Sequence, residues 1–216
     1  MTVLPFTSPP DWDAALPAVR DHLARGGLIA YPTETVYGLG SRARRDDVAA
    51  LTTLKGRAPD KPFLMLVAGR PMAEAAGLQF GPAAHALAEA FWPGPLTLIL
   101  PGGGRLPDTL RGPEGGIAVR STSHAGIAHL IAALREPLTS TSANRPGGPT
   151  APGVGAILAD FGGAVGDGTL LVLDGGVLGN VPPSTIVDCT GRVARLVREG
   201  ALRRAELRAR VGRLAP

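Results

Sequence analysis

Hydroxyl and charged side chains follow the most apolar segments of this chain. In GGLIAYPTETVYGLG (26–40), an apolar run passes into Thr33, Glu34 and Thr35. An apolar run that breaks into polar residues predicts a buried strand followed by a loop. Ligands of α/β proteins bind at such strand ends, so these side chains indicate a binding loop. The alternative is an ordinary turn in which Thr33 and Thr35 bond their own backbone.

Three other predicted strands carry the same kind of residue at one end. Arg120 closes the run IAVR, Ser142 and Asn144 follow LTST, and Ser184 precedes TIVD. Side chains two positions apart on an extended segment share a face, so Ser142 and Asn144 are expected to point the same way. If these ends converge, they form a pocket of cations, hydroxyls and an amide that suits a phosphate chain or a carboxylate.

Both lysines of the chain lie in one short segment, KGRAPDK, where Lys55 and Lys61 flank Arg57. Lysine offers a compact ammonium and arginine a planar fork, so a chain that otherwise uses arginine indicates a need for an ammonium here. Chance placement in a small sample is the alternative. A helix beginning at Asp46 is predicted to end at Gly56, which places Lys55 in its last turn.

Other common sites are not indicated by the sequence. It contains neither G-x-x-x-x-G-K-[ST] nor a G-x-G-x-x-G between a strand and a helix, so a phosphate site would rely on side chains. The four histidines are scattered, and Cys189 is the only cysteine, which excludes a cysteine zinc site within the chain. We predict no metal ligands.

Composition indicates a packed globular protein with a mild preference for anionic partners. The 216 residues are 44% hydrophobic, the net charge is +4 and the pI is about 10.0. No apolar run reaches the length of a membrane span and no signal peptide is evident, so we expect a cytoplasmic protein without a membrane anchor. The arginine-rich tail (203–213) is either a solvated helix face or an RNA-facing helix.

Strands and helices alternate along the chain. This pattern predicts a single α/β domain over 1–216, with a core at about 12–200, a basic C-terminal helix at 201–216, and a mixed, twisted sheet flanked by helices. Residues 102–116, rich in glycine, are predicted to form a mobile surface loop. Helices are predicted to start at Asp11 or Asp13, at Asp46, at Pro71, at Pro82, after a Ser121 or Ser123 cap, at Val154 and at Ala205.

Several motifs in order resemble those of one known family. They are GGLIAYPTETVYGLG, KGRAPDKP, FWPGPLTLIL, GGIAVRSTSHAGIA, TSTSANRPGG, DGG and PSTIVD. Together, from about Gly26 to Gly200, they resemble the YrdC-like threonylcarbamoyl-AMP synthase family in its short form, without the extra C-terminal domain.

The resemblance implies a single domain with a positively charged concave face. It also implies synthesis of threonylcarbamoyl-AMP and pyrophosphate from L-threonine, bicarbonate or CO2, and ATP with Mg2+. A partner complex would then transfer the threonylcarbamoyl group to adenosine 37 of tRNAs that read codons beginning with A, and the basic face is expected to contact tRNA.

The resemblance also implies roles for particular residues. Those implied for catalysis are Lys55 and Arg57; those for ATP are Lys55, Arg57, Lys61, Ser142, Asn144 and Arg198; those for threonine are Thr33, Thr35, Arg120 and Ser184. Longer relatives often have histidine where this chain has Leu66. A carbamate is unstable in water, so the 102–116 segment is expected to close over the site.

Two other functions remain open at this point. One is a carbamoyl-adenylate-forming domain like that of hydrogenase maturation proteins, which are normally fused to acylphosphatase and cysteine-rich modules. The other is an RNA-binding or ribosome-assembly module of the same fold. That module would need the arginines but not the set of Lys55, Arg57, Ser142 and Asn144.

Overall fold

The computed structural model describes residues 2–58, 61–104, 106–179 and 181–215. The strands of this part of the chain are β1 (Val3–Pro5), β2 (Leu28–Tyr31), β3 (Gly38–Gly40), β4 (Leu64–Val67), β5 (Leu96–Leu100), β6 (Ile117–Ser121), β7 (Leu138–Ser142), β8 (Leu170–Asp174), β9 (Thr185–Asp188) and β10 (Arg195–Arg198). The α-helices are α1 (Pro9–Ala24), α2 (Arg45–Lys55), α3 (Arg70–Ala75), α4 (Pro82–Phe91), α5 (Ala125–Leu134), α6 (Val154–Gly166) and α7 (Arg204–Val211).

All of these strands join one open sheet in the order β1-β8-β2-β3-β7-β4-β6-β5-β9-β10. Four of the pairs are parallel (β1 with β8, β8 with β2, β4 with β6, β5 with β9), and the other five are antiparallel. The predicted α/β fold with a mixed sheet is confirmed. None of the helices in the described ranges is long and apolar enough to cross a lipid bilayer.

Helices cover the two sides of the sheet unequally. On one side α1 and α5 pack residues such as Val19 and Ile127 against Ile29 and Leu66. On the other side a larger core runs under the whole central sheet. Successive side chains of a strand point to opposite sides, so Val119 enters the larger core while Ala118 and Arg120 face the first side. Beyond α1 and α5, that first side lacks a helical cover in the described structure.

The helix ends show how local chemistry sets the boundaries. The N-cap of α1 is Ser8, and the Asp11 carboxylate accepts hydrogen bonds from the backbone nitrogens of Thr7 and Ser8. Asp11 therefore serves in a capping box and is not itself the cap that we predicted. Helix α2 ends at Gly56 as predicted, with the glycine in the left-handed conformation. The cap of α5 is His124, not Ser121 or Ser123; its ring nitrogen accepts from the Ile127 backbone.

The folded core extends beyond the predicted limits of about 12–200. Val3 pairs with Val172 in the sheet, and Leu207 of α7 and Leu214 are buried. The Arg111 guanidinium holds the 102–116 segment by donating to the carbonyls of Gly102, Gly103 and Gly115. One guanidinium therefore joins the two ends of this segment, and the mobility of the segment stays a prediction.

The close approach of β3 to its neighbours gives a stability prediction. A Cβ at Gly40 would collide with the Thr139 carbonyl oxygen and lie 2.9 Å from the Tyr31 ring. Gly40→Ala is therefore expected to lower the free energy of unfolding by about 1–3 kcal/mol, measured by urea denaturation. Gly163→Ala in α6, where the added methyl meets open space in the described structure, should instead raise it by about 0.5–1 kcal/mol. Equal stability of the two variants would contradict this account of the packing.

Candidate active site

A cavity of about 540 Å³ lies on the uncovered side of the sheet. Its walls come from six strands that are neighbours in the sheet order, β3-β7-β4-β6-β5-β9, through Gly38, Ser140, Leu64, Ala118, Thr97 and Ile186. Among its described lining residues are eight hydroxyl side chains and three arginines, and none of these residues is acidic. Such a lining favours an anionic ligand that brings its own acceptor oxygens.

Seven of the ten predicted site residues line this cavity: Thr33, Thr35, Arg57, Arg120, Ser142, Ser184 and Arg198. Lys55 and Asn144 lie directly beneath it through their contacts with Ser142. Lys61 is exposed, and its side chain is not among the lining residues. Segments more than 100 residues apart in the chain therefore meet around one space, as the sequence predicts.

The loop after β2 uses one of its two threonines for its own structure. Thr33 Oγ1 accepts from the backbone nitrogens of Thr35 and Val36, both at 3.2 Å, and donates to the Val36 carbonyl oxygen at 2.7 Å. Thr35 then donates its hydroxyl proton to Thr33 Oγ1, 3.0 Å away. The alternative of a self-bonded turn thus holds for Thr33, while the Thr35 oxygen keeps an acceptor position toward Arg120 Nη1 at 3.4 Å.

Arg120 is buried at the end of β6, with only 4% of its surface exposed. Its Nε lies 3.8 Å from Glu34 Oε1, and Glu34 Oε2 accepts a short hydrogen bond from the Thr122 hydroxyl. The guanidinium also reaches the cavity wall. A buried guanidinium with a carboxylate behind it and open space in front is arranged to bind a second carboxylate.

Lys55 joins the end of α2 to the turn after β7. Its ammonium donates to the Ser142 carbonyl at 2.7 Å, to Asn144 Oδ1 at 2.8 Å, and to the Asn144 carbonyl through a shorter bond. Asn144 in turn donates to the carbonyls of Arg145 and Gly148. The three ammonium protons therefore have protein acceptors, and Lys55 fixes the shape of the turn that presents Ser142.

Burial is the main cause of a lowered pKa at Lys55. Together with the neighbouring charge of Arg57, and against the opposing effect of Asp160, burial brings the pKa of the ammonium to about 8. Burial also lowers the pKa of Arg57 and, together with the charge of Arg120, that of Arg198. Several cationic side chains are thus buried at or beneath this one cavity.

Arg57 and Arg198 border the cavity from opposite walls. Arg57 donates to the carbonyls of Lys61 and Pro62 and to Thr141 Oγ1, and its guanidinium lies 5.0 Å from the centre of the Phe63 ring. Arg198 donates to the Ser184 carbonyl at 2.7 Å. Both guanidinium groups are therefore held in fixed positions before any ligand binds.

Sequence reasoning missed some lining residues on the strands themselves. Ser140 and Thr141 of β7 and Thr97 of β5 line the cavity, and Thr97 Oγ1 lies 2.9 Å from Ser184 Oγ. The sequence of β7 could have indicated Ser140 and Thr141, since TSTS is unusually polar for a strand in the centre of a sheet. A second cavity, of about 380 Å³ beside Arg70, His85 and Trp92, carries Glu89 and is less suited to an anion.

Fold and cavity together define an α/β protein with an arginine-lined ligand site on an open sheet face. A family model named Sua5_yciO_yrdC and described as "Telomere recombination" matches residues 21–200. The chain therefore belongs to the Sua5/YciO/YrdC family, and the predicted family resemblance is confirmed.

Two relatives and one solved structure illustrate this membership. A threonylcarbamoyl-AMP synthase of Chromohalobacter salexigens is 42% identical over 77% of this chain and 88% of its own length. One of Pyrococcus abyssi is 33% identical over 89% of this chain and 56% of its own length. The crystal structure of P. abyssi Sua5 complexed with L-threonine superposes with a TM-score of 0.88 and 30% identity, over 100% of this chain and 63% of that one. The chain thus spans little more than half the length of the Pyrococcus relative.

The lowered pKa of Lys55 gives a prediction for stability against pH. Between pH 8 and about 10.5, the value of an unperturbed lysine, the unfolded chain binds more protons at this site than the folded chain. The free energy of unfolding should therefore rise with pH across this window, by at most about 1.4 kcal/mol per pH unit. Below pH 8 the cost of burying the charge is fully present.

Chemical denaturation of the wild type and of Lys55→Met at pH 7, 8, 9 and 10 tests this prediction. The stability difference, wild type minus variant, should increase above pH 8. Lys61→Met removes an exposed lysine of the same segment and serves as the matched control. A difference for Lys55→Met that stays constant or falls above pH 8 would contradict the assignment.

Proposed function

We propose that this chain is an L-threonylcarbamoyl-AMP synthase, which forms threonylcarbamoyl-AMP and pyrophosphate from L-threonine, bicarbonate or CO2, and ATP. The observation that carries the proposal is the convergence of Arg57, Arg120 and Arg198 on one cavity. The curated relatives with this activity match most of the chain, and a related structure holds L-threonine.

The reaction needs little covalent help from the protein. The threonine nitrogen binds CO2 and loses a proton to give a carbamate, whose oxygen attacks the α-phosphorus of ATP as the bond to pyrophosphate breaks. The protein must hold these atoms in line and neutralise the charge on the leaving group. The fixed guanidinium groups of Arg57 and Arg198 supply that charge from two walls of the cavity.

Different residues serve the amino acid and the nucleotide. Arg120 binds the threonine carboxylate, with Thr35 and Ser184 beside it for the substrate hydroxyl and Thr33 holding Thr35 in place. Ser142 faces the phosphates.

Lys55 and Asn144 act on the nucleotide through Ser142, because their polar groups are already bonded to the turn that contains Ser142. Lys61 is exposed near the cavity rim and reaches the nucleotide only if its side chain turns inward.

Magnesium enters as part of the substrate, MgATP. The described lining offers hydroxyls and guanidinium groups but no carboxylate, which is the protein ligand that Mg2+ usually takes. Likewise, no group of three or more His, Cys, Asp or Glu in the described ranges could hold a metal ion. The ATP phosphates would therefore supply the direct ligands, and the protein would bind the complex through its cations.

The product is a mixed anhydride that hydrolyses readily, so a threonylcarbamoyl transferase complex acting on tRNA would receive it. In this proposal, the arginines of α7 and the positively charged concave face contact that tRNA. Closure of the 102–116 segment over the cavity stays a prediction; none of its described residues lines the cavity. The cytoplasm is the compartment where such a reaction would take place.

One observation favours an RNA-binding module as the second candidate. Arg192, Arg210 and Arg213 line a separate groove of about 510 Å³ beside α4 and α7. Such a module would use this groove and need no turnover at the cavity.

Pyrophosphate release from ATP, with threonine and bicarbonate each omitted in turn, separates the candidates. We expect release only when all three substrates are present. Release that ignores threonine would reject the threonylcarbamoyl-AMP synthase assignment. No release, together with tight RNA binding, would favour the RNA-binding module.

Substitutions in the cavity should affect different kinetic constants. Arg57→Ala is expected to lower kcat at least 100-fold, because the leaving group loses a fixed cation, and Lys55→Ala to abolish turnover with the fold retained. Arg120→Ala should instead raise the KM for threonine, by about 100-fold, with a smaller effect on the KM for ATP. Near-normal turnover of the first two variants, or an unchanged threonine KM of the third, would refute these roles.

A further inference from the structure

The carboxylate of Glu34 has no role in the mechanism above, yet it lies behind the substrate cavity. Its side chain is 16% exposed, in contact with Arg120 on one side and Thr122 on the other. Burial of a charged carboxylate is costly unless the charge is paired, so the position of Glu34 indicates a function for its pairing with Arg120.

The two atoms that face each other here are both without a hydrogen bond in the described structure. Glu34 Oε1 and Arg120 Nε are 3.8 Å apart, buried, and each lacks a hydrogen-bond partner. The pair is therefore close enough for strong electrostatic attraction but not closed into a direct bond. Such a pair leaves the outer nitrogens of the guanidinium for another partner.

Glu34 is itself held in place from the side away from the cavity. The Thr122 hydroxyl donates to Glu34 Oε2, and Thr122 Oγ1 accepts from the His124 backbone nitrogen at the start of α5. The position of the carboxylate is thus tied to a helix, even though Glu34 belongs to a loop. Arg120 is bordered by Glu34 at Nε and by the Thr35 hydroxyl at Nη1.

The cavity holds two like charges close together, the guanidinium groups of Arg120 and Arg198. Burial and, after it, the charge of Arg120 lower the pKa of Arg198 in the same cavity. Two guanidinium groups in one cavity repel each other, and the described lining carries no carboxylate to separate them. Glu34, behind the wall, places a carboxylate oxygen 3.8 Å from Arg120 Nε, on the side away from Arg198.

We propose that Glu34 is a positioning residue, which holds the Arg120 guanidinium in the orientation that receives the carboxylate of the amino acid substrate. It touches no substrate atom and acts through Arg120. The inference rests on the proposed function for the identity of the amino acid. Its physical content, preorganisation of a carboxylate-binding guanidinium, concerns binding alone.

Steady-state pyrophosphate release at saturating ATP and bicarbonate, with L-threonine varied, tests the inference. Glu34→Gln keeps the shape and removes the charge, so the KM for threonine should rise about tenfold, with kcat and the KM for ATP changed less than twofold. Thr122→Val removes only the support of the carboxylate and should raise the same KM about threefold.

Two comparisons separate positioning from general damage to the protein. Glu74→Gln breaks an exposed pair with Arg70 on α3, outside the cavity, and should leave all constants unchanged. In an Arg120→Ala background, Glu34→Gln should add no further effect, because its route to the substrate is gone. Thermal denaturation of each variant shows whether it is folded. If Glu34→Gln does not fold, the threonine KM of Thr122→Val decides the inference.

The inference is overturned if Glu34→Gln leaves the threonine KM unchanged, lowers it, or reduces kcat alone. A lower KM would mean that Glu34 competes with the substrate for Arg120. Calorimetric titration of L-threonine without ATP makes the same comparison in the absence of turnover. A wild type that binds threonine but releases no pyrophosphate would thus refute the proposed function, while the Glu34→Gln difference in affinity still decides the inference.

Discussion

The site depends on one constraint, namely that α1 and α5 cover only part of one side of the sheet, while the larger core covers the other side. Alternation along β6 sends Val119 into that core and Arg120 to the opposite side, and the same division recurs on the neighbouring strands. A strand that supplies the core on one side can carry polar side chains on the other without loss of packing. The sheet thus forms both the scaffold and the floor of the cavity.

Around this floor, buried cations connect the segments that form the walls. The Lys55 ammonium bonds oxygens 87 and 89 residues away in sequence, and Arg57 holds both the segment after α2 and a side chain of β7. Each of these cations is expensive to bury, and the carbonyl oxygens that it meets offset the cost. The result is a cavity whose charged groups are fixed before a ligand arrives, which is what the proposed transfer of an adenylyl group requires.

The location of this site can be predicted from the sequence better than the role of each residue in it can. Arg120 and Ser184 could be found because each adjoins an apolar run, and the ends of such runs meet in an α/β sheet. By contrast, the acceptors of Lys55 and the partner of Glu34 lie far away in the chain, so no local pattern reveals them. Short strands such as β1 and β3 escape prediction because three residues show no periodicity. The packing of the 102–116 segment follows from a single guanidinium, which its glycine content does not indicate.

A crystal structure with L-threonine and a non-hydrolysable ATP analogue tests the proposed site most directly. We expect the threonine carboxylate on Arg120 and the phosphates between Arg57 and Arg198, over the uncovered strands. Binding of the nucleotide elsewhere, for example in the cavity beside Trp92 or in the groove beside α7, would contradict it.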